Sequence, residues 1–118
     1  MLPPANRLRK EKEIKRVLAS RKSCKNGLLI CKTALNGLDA ARFCFVVSKR
    51  ISNKAVIRNR LKRHLREAVA AFLPLVRSGT DYVLIACPKL QDCDFRELLV
   101  TMEKLLSVSG GLANQKRV

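Results

Sequence analysis

Residues 49–67, Lys-Arg-Ile-Ser-Asn-Lys-Ala-Val-Ile-Arg-Asn-Arg-Leu-Lys-Arg-His-Leu-Arg-Glu, hold eight Lys and Arg before their first acid. At ~100° per residue, Ile57, Leu61, Leu65, Ala68 and Phe72 fall within one arc. Residues 54–75 are therefore predicted as the longest helix, with Ser52 or Asn53 as its cap and Gly79 beyond its end. Opposite the apolar arc lie Asn59, Lys62, Arg63 and Arg66, with Arg58 and Arg60 on the flanks. One face docks on a sheet and the other presents cations to solvent.

That helix works against itself. Lys54, Arg58 and Arg60 crowd its first turns, where the helix dipole favours acids by roughly 0.3–1 kcal/mol each. No acid lies four residues away to relieve the repulsion among Arg58, Lys62 and Arg66. Local rules are usually broken at functional sites, and phosphates resolve this conflict: Arg binds them bidentately, Lys adds point charge, and each contact releases condensed counterions. Asn59 is available to bond a base edge or a sugar hydroxyl.

Outward from the helix, residues 27–35 (GLLICKTAL) and 42–48 (RFCFVVS) are short, apolar runs of strand formers. The turn-like Asn36-Gly37-Leu38-Asp39 separates them, so an antiparallel pair is expected. Residues 82–87 (YVLIAC) read as a third, buried strand stopped by Pro88. Residues 6–22 read as a first helix capped by Asn6 after two prolines, with Leu8, Ile14, Val17 and Leu18 as an incomplete stripe. Residues 94–107 read as a last amphipathic helix, Asp94-x-x-Glu97 resembling a capping box and Phe95, Leu98, Leu99, Met102, Leu105 and Leu106 packing the core. The expectation is one α+β domain over 1–118, with an ordered core at 6–108 and a flexible polar tail at 109–118.

The 118 residues include 25 Lys and Arg against 9 Asp and Glu, a net charge of +16. All of the excess lies in residues 1–66, which hold 19 basic and 3 acidic residues. Such one-sided charge attracts a polyanion, and nucleic acid leads over a merely solvated face or an anionic membrane. With no long apolar run and no apolar stretch at the start, a cytoplasmic protein is expected.

Catalytic chemistry finds little to stand on. Cys24, Cys31, Cys44, Cys87 and Cys93 form no C-x-x-C pair and read as reduced core residues. His64, the only histidine, sits near the edge of the apolar arc and reads as half-buried structure rather than as a general base or the partner of a reactive thiol. Paired carboxylates, a metal-ligand cluster, a Gly-rich phosphate loop and a Ser/His/Asp set are all missing from the sequence. No catalytic residue, no metal ligand and no cofactor of the protein's own is expected.

Arg58-Asn59-Arg60-Leu61-Lys62-Arg63-x-x-Arg66-Glu67, preceded by Val47-Ser48-Lys49-Arg50 and Lys54-Ala55-Val56, resembles the signature of the bacterial ribonuclease P protein component. Asn6-Arg7-Leu8-Arg9-Lys10, Arg42-Phe43-x-Phe45-Val46-Val47-Ser48-Lys49 and Gly79-x-Asp81-Tyr82-Val83-Leu84-Ile85-Ala86 resemble the family's opening, central strand and later strand. The resemblance implies an accessory subunit of a ribonucleoprotein that removes the 5′ leader of precursor tRNA, its partners being the catalytic RNA, which uses Mg²⁺, and the precursor. It implies an order α-β-β-(β)-α-β-α, a mostly antiparallel sheet and a left-handed β-α-β crossover. RNA contacts would be Arg58, Asn59, Arg60, Lys62, Arg63 and Arg66, supported by Lys49, Arg50 and Lys54. The leader would lie in a cleft between the first helix and the sheet. Family members often place aromatics on that helix, where this chain has Ile14 and Leu18; Phe43 and Phe45 are candidates from the strand, although alternation points both at the core.

The rival from composition is a ribosomal or other structured-RNA-binding protein without a processing role, which the RNR-x-KR-x-x-RE core disfavours. A protein-only nuclease lacks clustered carboxylates for metal ions. A duplex DNA binder lacks a turn-helix signature before the basic helix.

Overall fold

The computed structural model describes residues 2–108; the tail expected at 109–118 lies outside them. A 3₁₀ turn at Pro4–Asn6 precedes α1 (Glu11–Leu18), followed by β1 (Ser23–Lys25), β2 (Leu29–Leu35), β3 (Arg42–Val46), α2 (Ala55–Phe72), a 3₁₀ turn at Leu73–Leu75, β4 (Thr80–Ala86), a 3₁₀ turn at Pro88–Asp92 and α3 (Phe95–Val108). The sheet runs β1-β2-β4-β3. β1 pairs β2 and β2 pairs β4 antiparallel, whereas β3 pairs β4 parallel. The α+β class, the mostly antiparallel sheet and a β-α-β unit, β3-α2-β4, are therefore present.

The expected antiparallel pairing of β2 with β3 is wrong. β4 sits between them, opposing Leu29–Leu35 of β2 on one side and Arg42–Val46 of β3 on the other. The reason lies in burial: β4 is buried along nearly its full length, and such a run fits a central strand covered on both faces. The connection from β2 to β3 is tied to the start of β4 instead of closing a hairpin. The Asn36 amide N–H donates to the Gly79 carbonyl (2.9 Å) and that of Gly79 to the Ala40 carbonyl (3.2 Å). Gly79 has φ +90°, a conformation L side chains rarely adopt.

Alternation on β4 divides the core. Tyr82, Leu84 and Ala86 join Leu61, Leu65 and Val69 of α2 and Leu98, Met102 and Leu106 of α3 in the main cluster. Val83 joins Leu8 and Val17 in a smaller cluster under α1, rimmed by the half-buried Ile14, Ala34, Cys44, Val46 and Ile85. The apolar arc read along residues 57–72 does face the sheet: Leu61, Leu65 and Ala68 are buried, Ile57 and Phe72 partly so.

The first helix is shorter than expected, and Asn6 is not its cap. Lys10 precedes the helix, and the Asn6 side chain instead donates to the Ala41 carbonyl at 2.7 Å. Arg7 bridges Phe43 in a parallel β-bridge, and the Leu8 amide donates to the Phe43 carbonyl at 2.9 Å. The opening segment thus covers the outer edge of β3, where an uncovered strand would present unpaired backbone groups. Leu2 is buried, so the ordered core begins before residue 6. The extra strand, bracketed between the second strand and the long helix in the expected order, lies earlier, as β1.

α2 begins at Ala55 after Lys54, without a side-chain cap bond; the Ser52 hydroxyl accepts from the Lys54 amide (3.1 Å). It ends at Phe72 because Pro74 converts the last turn to 3₁₀ geometry. The α3 cap holds: the Asp94 carboxylate accepts from the Glu97 amide at 2.8 Å. No helix among the described residues is long and apolar enough to cross a membrane.

Candidate nucleic-acid interface

The same turn-by-turn arc that buries Leu61 and Leu65 turns Asn59, Arg60 and Arg63 outward, and all three are exposed. Lys62 and Arg66, half-buried at the margin of the arc, line an open groove of about 460 Å³ with Arg7, Arg9, Phe43 and Phe45. Lys49, Arg50 and Lys54 are exposed in the turn that leads into α2. Arg58 differs from its neighbours, because its guanidinium donates to the Ser52 carbonyl at 2.9 Å. Gln91 donates to the Ile51 carbonyl of the same turn. Arg58 therefore ties the Lys49–Arg50 turn to α2, and Gln91 ties it to the 3₁₀ turn at Pro88–Asp92.

None of the nine expected RNA contacts forms a salt bridge with an acid among the described residues. The bridges present there join Lys15 to Glu11, Arg16 to Asp81, and Arg42 to Glu13 and Asp81. α2 has no acid in its first turn to answer the dipole, so its positive field is unopposed at the N-terminal end. Cys44 opens on the groove as a protonated thiol; burial pushes it up while the Lys62 charge draws it back.

The four candidate leader contacts do not share one cleft. Ile14 is half-buried in the small cluster under α1, and Leu18 is exposed at that helix's end. Phe43 and Phe45 belong to the main cluster, on the other face of the sheet. Phe43 is 2% exposed and stacks on Tyr82 with ring centroids 4.7 Å apart. Its ring is core, as alternation indicated, and burial pushes the Tyr82 hydroxyl up to about 12. Phe45, half-buried, lies 6.5 Å from the Phe43 ring and is the more accessible aromatic of the groove. His64 is half-buried and meets the Phe95 ring edge-on at 6.2 Å.

A family model described as Ribonuclease P matches residues 2–109. The chain belongs to the ribonuclease P protein family. The ribonuclease P protein component of Caldanaerobacter subterraneus subsp. tengcongensis is 38% identical over 100 residues, covering 85% of each chain. That of Cyanothece sp. is 36% identical over 76 residues, which is 64% of this chain and 58%, less than two thirds, of that relative. Among solved structures, the RNase P protein of Thermotoga maritima superposes with a TM-score of 0.75 at 30% identity, covering 94% of this chain and 98% of that one.

Within this ribonuclease P family member, sequence reasoning missed Arg7 and Arg9 as groove residues. Reading the opening as a capped helix hid the period-two signal that was present: Arg7 and Arg9 flank the buried Leu8, as in a strand with one face inward. Arg42 and Asp81 were also missed. Their pairing depends on the parallel β3–β4 register, which opposes the two residues directly.

Proposed function

We propose that the chain is the protein subunit of a cytoplasmic ribonuclease P, the ribonucleoprotein endoribonuclease that removes the 5′ leader from precursor tRNA. The observation that carries this reading is the row of unpaired cations on α2 and its leading turn, continuous with a groove bearing Arg7, Arg9, Lys62 and Arg66. A surface of this kind neutralises phosphates over an extended, folded RNA. The RNA subunit and its Mg²⁺ supply the hydrolysis.

The protein's own side chains bind and position. Arg60, Arg63 and Asn59 meet the catalytic RNA, and Lys49, Arg50 and Lys54 extend that contact from the turn. Arg58 keeps the turn in place through the Ser52 carbonyl. The leader lies against the α1 side of the sheet, where Ile14 and Leu18 offer apolar contact in place of aromatic stacking. Fixed cations replace part of the diffuse ion atmosphere, so less Mg²⁺ is needed for the RNA to fold and to hold precursor.

The test is cleavage of a leader-bearing precursor tRNA by bacterial ribonuclease P RNA at low Mg²⁺, with and without the protein, and by the protein alone. Stimulation only when RNA and protein are both present is expected. Tight RNA binding without stimulation overturns the processing role, and cleavage by protein alone overturns the assignment of chemistry to RNA.

A further inference from the structure

The helix that forms one wall of the leader site has little holding it in place. α1 is eight residues long, has no side-chain cap, and buries only Val17 completely. Isolated helices of this length are marginal, so tertiary anchors decide where such a helix sits. Beyond the small apolar cluster and one bond from Arg16 to the Leu35 carbonyl, the side-chain anchors between α1 and the sheet are ionic and converge on Asp81, which is wholly buried.

The two Asp81 carboxylate oxygens accept four hydrogen bonds. Arg42 donates to both, at 2.8 and 2.7 Å; Arg16 of α1 donates at 2.7 Å; the Asn36 side-chain amide donates at 2.7 Å. Arg16 also donates to the Leu35 carbonyl at 2.9 Å. Arg42 in turn reaches Glu13 of α1 at 3.2 and 3.3 Å. Glu13 and Arg16, three residues apart and so neighbours on one face of a helix, thus grip the pair formed by Arg42 and Asp81. Two grips separated along the axis fix both the rotation and the axial position of α1, which one apolar contact at Val17 does not.

Resting on the function proposed above, we infer that Asp81 is a positioning residue for the precursor: through Arg16 it sets the angle at which α1 presents Ile14 and Leu18 to the 5′ leader. Released from Asp81, α1 pivots on Val17, and the leader loses a preformed wall. The affinity difference between precursor and leaderless tRNA falls, because a wall that must be ordered on binding costs affinity that a preformed wall does not.

The experiment uses holoenzyme assembled from ribonuclease P RNA and the full chain, and measures Kd for a leader-bearing precursor and for mature tRNA. The variants are Arg16→Gln, Arg16→Lys, Asp81→Asn and the double Arg16→Gln/Asp81→Asn. Arg16 is partly exposed, so its substitutions leave a folded protein even where Asp81→Asn does not. Arg16→Gln is expected to lower the precursor-to-mature affinity ratio roughly tenfold, with mature tRNA binding unchanged and Arg16→Lys retaining most of the ratio. In the Asp81→Asn background, Arg16→Gln should add much less than it does in wild type, the remainder being its bond to the Leu35 carbonyl.

An unchanged ratio in Arg16→Gln overturns the proposal. So does a double variant whose loss multiplies the two single losses, since Arg16 would then act on the leader independently of Asp81. Equal tightening of both RNAs by Asp81→Asn, with steeper salt dependence, would make the carboxylate a charge mask and overturn positioning. Equal affinity of the wild-type holoenzyme for precursor and mature tRNA is a separate failure, that of the leader reading itself.

Discussion

Arginines meet two fates in this molecule. On the α1 side of the sheet, Arg16 and Arg42 are matched by Glu13 and Asp81, and the Arg42 side chain is mostly buried among them. On α2, Arg60, Arg63 and Arg66 have no acid within salt-bridge distance among the described residues. The residue type is the same, yet one set is held against the sheet because its charge is answered by the protein. The other set has no such answer among the described residues. Like charges three or four residues apart on a helix reduce stability; the proposed RNA contact would offset that cost, while the matched set would keep the shape of the α1 wall proposed for the leader.

Removing the answering acid should cost the fold most. Asp81→Ala leaves Arg42 without its main acceptor in a buried site, and denaturant unfolding should show a loss of about 3–5 kcal/mol. Two-state unfolding within 1 kcal/mol of wild type would mean that water replaces the carboxylate without loss.

Acid should reproduce that break gradually. Burial pushes the Asp81 carboxyl up, but the hydrogen bonds from Arg42 and Asn36 and the charges of Arg42 and Arg16 outweigh it and hold the group below its ordinary value. A carboxyl with a depressed folded pKa adds stability that is complete above the unfolded value, about 3.9, and is lost as pH falls through the folded one. Wild-type stability should therefore drop below about pH 4 more steeply than that of Asp81→Asn. Parallel curves would place the acid sensitivity elsewhere.

A smaller effect sharpens the contrast between framework and interface. Asp94→Ala removes the α3 cap bond to Glu97 and should lower stability by about 1 kcal/mol. Its affinity for ribonuclease P RNA should match wild type, because α3 faces the main core. The smallest stability effect belongs to the bare face: Arg60→Ala and Arg63→Ala should each shift unfolding by about 0.5 kcal/mol or less. A larger loss would show that these side chains support the fold.

The α2 face was legible from sequence because burial imposes a 3.6-residue period, and Ile57, Leu61, Leu65 and Ala68 keep it without interruption. The basic residues then fall on the other side by subtraction. Strand order was not legible. Nothing in the run Tyr82-Val83-Leu84-Ile85 says which neighbour lies on either side, and the tempting turn at Asn36-Gly37 suggested a hairpin that β4 interrupts. The opening misled for a local reason: Pro3, Pro4 and Asn6 imitate a helix start, while the actual constraint is the long-range bridge from Arg7 to Phe43. Asp81 falls just outside the strand read at 82–87, and only the register across β3 and β4 makes it a hub.

The function proposed above requires the bare cations of α2 to meet RNA phosphates. The most direct measurement is the slope of log affinity against log salt for the full chain binding ribonuclease P RNA, compared between wild type and Arg60→Ala/Arg63→Ala. Each lost phosphate contact should flatten the slope by about one unit, so the double variant should lose about two while its unfolding curve stays near wild type. An unchanged slope, with affinity intact, would mean that neither arginine contacts a phosphate.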